Sequence, residues 1–190
     1  MGDPKKQRKK YTTPSHPWQE ERLEEEKEFL KSFGLKNKKE IWKINSVLKK
    51  FTQQAKKLVA STGSQSEIEK KQLMSRLVSL GLIEEAAHLE DVLTITPKNI
   101  MERRLQTIVH KKNLSRSIKQ ARQFITHQHI AIGGKLITSP AYLVTKDEET
   151  KLNFLPSSSL VNQDHAERTQ LKEKKKVKKI KKPAKNDKTK

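Results

Sequence analysis

Eight cations, Arg103, Arg104, Lys111, Lys112, Arg116, Lys119, Arg122 and Lys135, lie between residues 103 and 145 with no Asp or Glu among them. A like-charged block is ordinarily a solvated tail. This one also carries the regular apolar pattern of a core, so its self-repulsion needs an external offset, and a polyanion is the simplest one. The planar guanidinium suits bidentate phosphate contacts, and four of the six arginines other than Arg8 and Arg168 fall in this block. Ser117 followed by Gln120 has the spacing of a helix N-terminal cap. That places free amides and a positive dipole end beside Arg116 and Lys119, a phosphate seat.

Other constellations point to bland roles. His127 and His129 form His-x-His, but no cysteine or carboxylate between 103 and 145 completes a metal site, so strand-edge residues are the expectation. His88 and His110 are single helix residues. Glu24, Glu25 and Glu26 within the acidic stretch 20–28 read as a solvated face or a contact for basic protein neighbours rather than as acid–base pairs. Trp18 and Trp42 read as anchors between chain segments. Aromatic residues are 5% of the chain, with only Phe124 and Tyr142 in the basic block, so base stacking there is not expected. Readout is expected through RNA shape and backbone.

The elements that must position these residues are written locally. Pro17 starts a helix carrying Leu23, Phe29, Leu30 and Phe33, and Gly34 ends it. Asn37 and Glu40 read as a capping pair for a helix to Ala60. Its apolar stripe is Ile41, Ile44, Val47, Leu48, Phe51, Ala55, Leu58 and Val59, and lysines line its other face. Ser66 and Glu69 form a second pair, and Gly81 stops that helix. A short helical piece covers 84–93. Thr96-Pro97 opens a helix running to about Asn113, and Ser117 opens another burying Ile118, Ala121, Phe124 and Ile125. The period then changes. His129–Ile132 and Lys135–Ile137 flank a Gly133-Gly134 hairpin turn, Ala141–Val144 reads as a third strand, and 152–155 as a further candidate. The fold class is mainly α with a small α+β module: an N-terminal helical region, then helix-helix-antiparallel sheet, then a disordered basic C-terminal tail.

Residues 103–144 resemble the small RNA-binding module named after small-subunit ribosomal protein four, the alpha-L RNA-binding module. The resemblance rests on Arg104-Leu105, Ser117-Ile118-Lys119-Gln120-Ala121-Arg122, Ile125, His129-Ile130-Ala131-Ile132, Gly133-Gly134-Lys135 and Pro140. The N-terminal part is similar to the archaeal form of that ribosomal protein. Gly2-Asp3-Pro4-Lys5, Arg8-Lys9-Lys10-Tyr11, His16-Pro17-Trp18 and Gly34-Leu35-Lys36-Asn37-Lys38-Lys39-Glu40-Ile41-Trp42-Lys43 carry the likeness. The resemblance implies a primary binder of small-subunit ribosomal RNA that nucleates assembly. It also implies ribosomal protein five as a neighbour, a place near where messenger RNA enters, and influence on translational accuracy. The expected RNA contacts are Lys5, Lys6, Arg8, Lys9 and Lys10 in the arm and Lys36, Lys38, Lys39 and Lys43 at the start of the long helix. In the module they are Arg103, Arg104, Lys111, Lys112, Arg116, Ser117, Lys119, Gln120, Arg122, His127, His129 and Lys135. Two positions depart from the family pattern. Gln128 stands where a Gly precedes the first strand, and Gly133-Gly134 replaces Asn-Gly.

The whole-chain figures agree. The 190 residues carry a net charge of +20 with 32% hydrophobic residues, against about 45–50% in ordinary globular proteins. No run approaches the ~20 apolar residues of a membrane span, and no secretory leader is evident at Met1–Lys5. The absence of cysteine excludes disulfides and thiol nucleophiles. Residues 1–102 form the arm and helical region, 103–164 the module with its core at 103–145, and 165–190 a Lys-rich tail. The rival class is an RNA-modifying, aminoacylating or stress-related chain using the module as an appendage. The modifying or aminoacylating form would need a catalytic α/β domain, and 1–102 show neither a Gly-rich loop nor a strand pattern; stress-related chains are usually shorter and lack the Trp18 and Lys36–Lys43 segment. A cytoplasmic, ribosome-bound, non-enzymatic protein without metal or cofactor is the resulting expectation. Deleting residues 165–190 is expected to leave the far-ultraviolet circular dichroism of the remainder unchanged; a large loss of helix or sheet would make the tail part of the core.

Overall fold

The computed structural model describes residues 9–162 together with 165 and 167. Lys5, Lys6 and Arg8, and the expectation of a disordered tail apart from His165 and Glu167, lie outside the described residues. Among the described residues no helix is long and apolar enough to cross a membrane.

The N-terminal half is built on α2 (Lys38–Ala60). Ile41, Ile44, Phe51, Ala55 and Leu58 recur at helical spacing and are buried, whereas Val59, expected on the same stripe, is exposed. This face meets α1 (Glu20–Ser32), α3 (Ser64–Ser79), a 3-10 turn at Leu89–Thr94 and α4 (Pro97–Glu102). Leu73, Leu77, Val92, Ile100 and Met101 complete that core.

Several local expectations are corrected. Pro17 lies in the turn before α1, which starts at Glu20 with Gln19 as its cap residue. Asn37 does cap α2 by position but makes no side-chain bond: the Glu40 amide donates to the Asn37 carbonyl at 3.1 Å, and the Glu40 carboxylate is engaged elsewhere. α3 begins at Ser64, so Ser66 lies inside the helix, donating to the Gly63 carbonyl at 2.7 Å. Of the stretch 84–93 only 89–93 is helical, within the 3-10 turn Leu89–Thr94. Thr96 sits at the cap of α4 with Pro97 behind it, yet its hydroxyl bonds Asn99 rather than backbone.

The expected single helix over 97–113 is two. Arg104 is extended (φ −71°, ψ 142°) between α4 and α5 (Leu105–Lys111). There it forms an antiparallel bridge with Leu143. The Leu105 amide donates to the Tyr142 carbonyl at 2.8 Å, and Val144 donates to Arg103 at 3.0 Å. Ala141–Val144 is therefore not a sheet strand, since its backbone groups are satisfied at the helix break. The third strand is instead the downstream candidate. β1 (Ile130–Ile132) lies between β2 (Lys135–Leu136) and β3 (Leu152–Phe154), both antiparallel, with Ala131 opposite Leu136 and Asn153. All of β1 is buried. It packs under α5 and α6 (Ile118–Thr126) through Leu105, Ile108, Val109, Ala121, Phe124, Ile125 and Val144. A short α7 (Lys146–Thr150), capped reciprocally by Thr145 and Glu148, leads into β3.

The β1–β2 turn uses Gly133 and Gly134 at φ +55° and +80°, the pair of left-handed conformations that a two-residue hairpin needs. Gln128, one residue before His129, sits at φ +66°. The side chain gains nothing from that conformation and costs on the order of 1 kcal/mol. Gln128→Gly is expected to raise stability by up to about 0.5 kcal/mol in urea unfolding, the relief of strain slightly exceeding the extra freedom of the unfolded glycine.

Candidate nucleic-acid interface

The module is joined to the helical region by one carboxylate. Glu40, on the first turn of α2, takes Arg104 Nη2 at 2.6 Å and Arg122 Nη2 at 2.8 Å, with Arg122 Nη1 at 3.3 Å. Burial pushes the Glu40 carboxyl up, but hydrogen bonds from Arg122 and Arg104 outweigh it and hold the group below its ordinary value. Beside this pin, Gln106 Nε2 is shared among the carbonyls of Phe33, Gly34 and Ile118 at 3.0–3.3 Å. Gly34 is at φ +57°, and a Cβ there would stand 2.9 Å from Ile118 Cγ2. The loop between α1 and α2 therefore lies directly on α6.

These contacts correct the outward placement expected of Arg104. Its side chain is 2% exposed and cannot present a phosphate fork to solvent. A cation enters a core only with its counter-charge, and Glu40 supplies it. Arg122 also turns inward, keeping a partly exposed edge. Arg103 is directed to Glu149 at 2.7 Å and the Val144 carbonyl at 3.1 Å, and Lys112 to the Glu149 carbonyl. The module has no acid between 103 and 145, yet it borrows Glu40, Glu102 and Glu149 from outside that interval.

The N-terminus of α6 faces outward. Ser117 Oγ accepts from the Gln120 amide at 3.2 Å, and Gln120 Oε1 accepts from the Arg116 amide at 2.8 Å. The reciprocal bond thus reaches one residue further back than a capping box. Arg116 Nη2 lies 2.9 Å from Glu167 Oε2, and Gln120 Nε2 donates to the same oxygen. An anionic oxygen of the chain itself already occupies the phosphate seat. Lys119 is exposed on the next position.

The remaining candidates divide by surface. Lys36, Lys39 and Lys43 are exposed at and near the start of α2, while Lys38 is 3.2 Å from Glu26. Lys10 is exposed, and Lys9 Nζ lies 5.4 Å from the Tyr11 ring centroid. Lys111 is exposed and paired with Glu102 at 2.8 Å, and Lys135 is exposed on β2. His127 is exposed, whereas His129 Nδ1 is 2.8 Å from Ser158 Oγ. Among the described residues no group of three or more His, Cys, Asp or Glu is placed to hold a metal.

Besides Glu102 and Glu149, sequence reasoning missed the roles of two further acids. Glu26 is the buried member of the acidic stretch, accepting from Trp42 Nε1 at 2.9 Å and Arg22 at 2.6 Å. Burial raises its carboxyl, and bonds from Trp42, Lys38 and Arg22 lower it further than that. A heptad-like count from Leu23 and Leu30 would have found it on the inner face. Trp42 is an anchor as expected, but Trp18 is 88% exposed and anchors nothing. Glu148 was the other omission: it accepts from the Tyr142 hydroxyl at 2.6 Å, and the Tyr142 phenol is raised chiefly by that bond.

A helix pair lies over a small antiparallel sheet with Lys111, Arg116 and Lys119 toward solvent, and residues 103–149 match the S4 domain family. The class is that of RNA-binding proteins built around an S4 domain. Over 160 residues the chain is 49% identical to the small ribosomal subunit protein uS4 of Saccharolobus solfataricus, covering 84% of this chain and 88% of that one. The uS4 proteins of Methanothermobacter thermautotrophicus and Methanococcus aeolicus are 45% and 48% identical, covering 87% and 89% of this chain and 97% and 96% of theirs. The chain belongs to the uS4 family of small ribosomal subunit proteins.

Removing the central carboxylate tests the junction. Glu40→Gln is expected to cost about 2–4 kcal/mol in urea unfolding at pH 7, because two guanidinium groups lose their counter-charge. Glu40 is held below the 4.5 of an unperturbed glutamate, so its contribution is complete above that value and is lost as pH falls from there through the folded-state value. The gap between wild type and variant should accordingly narrow below pH 4.5.

Proposed function

We propose that this chain is a structural constituent of the small ribosomal subunit, bound in the cytoplasm to small-subunit ribosomal RNA through phosphate neutralisation and shape recognition. The observation that carries the reading is the α6 N-terminus, where Arg116 and Gln120 converge on one anionic oxygen beside exposed Lys119. That arrangement recognises a phosphate oxygen without reading a base. Kinship with ribosomal uS4 proteins over most of the chain supports a structural rather than a catalytic role.

Within this reading, the exposed lysines Lys36, Lys39 and Lys43 and the arm continue the phosphate-contacting surface, with Arg103, Lys111, Lys112, Ser117, Arg122, His127, His129 and Lys135 around the module. Arg104 is left out, because its role is internal. The domain division at about 102 and 164 belongs to the same proposal, supported by the passage from one buried cluster ending at Met101 to another beginning at Leu105. The chain nucleates assembly of the subunit, meets ribosomal protein five, and with it influences translational accuracy near the incoming messenger. The support for these finer roles is family kinship together with the exposed acids of α1, Glu20, Glu21, Glu24, Glu25 and Glu28, which suit a basic protein rather than RNA.

Replacing Arg116 and Lys119 with Ala is expected to weaken binding to small-subunit ribosomal RNA. The slope of log affinity against log salt should fall by about 1 for each phosphate contact removed. Unchanged affinity and slope would refute the seat. Crosslinking in intact cells should enrich small-subunit ribosomal RNA over transfer RNA, and the reverse would restore the rival class.

A further inference from the structure

The N-terminal arm lies along the middle of α2, and an open cleft of about 590 Å³ runs between them. Four of its lining side chains are Lys9, Lys10, Lys49 and Lys50, and among the described residues no acid lines it. The arm is fastened by the Thr12 amide, which donates to Ser46 Oγ at 3.0 Å, and the Ser46 hydroxyl donates in turn to the Trp42 carbonyl. Tyr11, on the cleft wall, rests against Trp42 with ring centroids 6.1 Å apart and planes at 34°. Trp42 is itself held by the bond from its indole nitrogen to buried Glu26.

Two properties coincide in this cleft. Four ammonium groups, with no acid among the described lining residues, select an anion. A tyrosine ring backed by a fixed indole supplies a flat π-surface, with the exposed Lys9 ammonium 5.4 Å from its centroid. The volume falls in the range of small-molecule sites. Gln53 on the wall offers both a donor and an acceptor for the edge of a base. Phosphate beside a base is the chemistry of a nucleotide.

We propose that the cleft between the arm and α2 holds one unpaired nucleotide of an RNA strand, with its base on Tyr11 and the flanking phosphates on Lys10, Lys49 and Lys50. Lys9 leaves the ring for the strand backbone when the base arrives. The inference rests on the RNA-binding reading above but concerns a separate surface and a separate mode, stacking on a single strand rather than shape recognition by the module.

The test uses the full chain with Trp18→Phe, so that Trp42 is the sole indole, and single-stranded hexaadenylate as the probe. Hexaadenylate is expected to quench Trp42 saturably. Tyr11→Phe should bind as the parent does and Tyr11→Ala about tenfold more weakly, while Lys49→Ala with Lys50→Ala should flatten the salt dependence. Adenosine monophosphate should bind at least tenfold more weakly than the hexamer, and equal affinity would overturn the strand in favour of a free nucleotide. Hexamer affinity unaffected by Tyr11→Ala would overturn the pocket and leave only lysine electrostatics. The Arg116→Ala, Lys119→Ala chain keeps the two readings apart: it should lose structured ribosomal RNA and retain hexaadenylate.

Discussion

The two halves of this protein depend on one carboxylate facing two guanidinium groups. Glu40 begins α2, the spine of the helical region; Arg104 breaks the helix that enters the module; Arg122 lies on α6. An ion pair desolvated to this degree contributes little net stability against an apolar substitute. Its contribution is specificity. With Arg104 buried, the one low-energy arrangement places its charge against Glu40, which sets the angle between α2 and the module. Gln106 and Gly34 then close the same junction at backbone level.

That constraint sorts the cations of a strongly basic chain. Arg104 is spent on an internal acceptor, and Arg103, Arg122 and Lys112 are held to acceptors at or behind the helix break while staying partly exposed. Arg116, Lys119, Lys135 and the α2 lysines other than Lys38 remain toward solvent or toward exchangeable partners. The same division operates at Glu26, which draws in Arg22, Lys38 and Trp42 while its neighbours on α1 stay exposed. Acids lying outside the basic interval are what allow that interval to fold, and the charge left over is what an RNA backbone can neutralise. Trp42, fixed by Glu26 and leaning on Tyr11, extends this logic to the arm.

Much of the architecture is legible in local chemistry. The helical period through Ile41, Ile44, Phe51, Ala55 and Leu58 specifies α2, the Ser117–Gln120 spacing specifies the start of α6, and Gly133-Gly134 specifies the hairpin. These signals are read within one turn of helix or across one hairpin, where a residue's preference and its partner are close in sequence. The errors share the opposite character. Glu40 looked like a capping residue, because nothing near it in sequence shows that Arg104 and Arg122, 64 and 82 positions away, will claim it. Ala141–Val144 has strand composition, but its hydrogen bonds go to the backbone around Arg104.

The sequence by itself determined the type and order of most elements, the +20 charge, the acid-free interval and the kinship its motifs imply. These follow from periodicity, caps and composition, which are local or additive. Only the tertiary structure decided which cations face inward, which segment completes the sheet, and that Tyr11 and four lysines share a cleft. Charge pairing and burial are set by distances between residues remote in the chain. A linear pattern carries the identity of each partner but not their meeting.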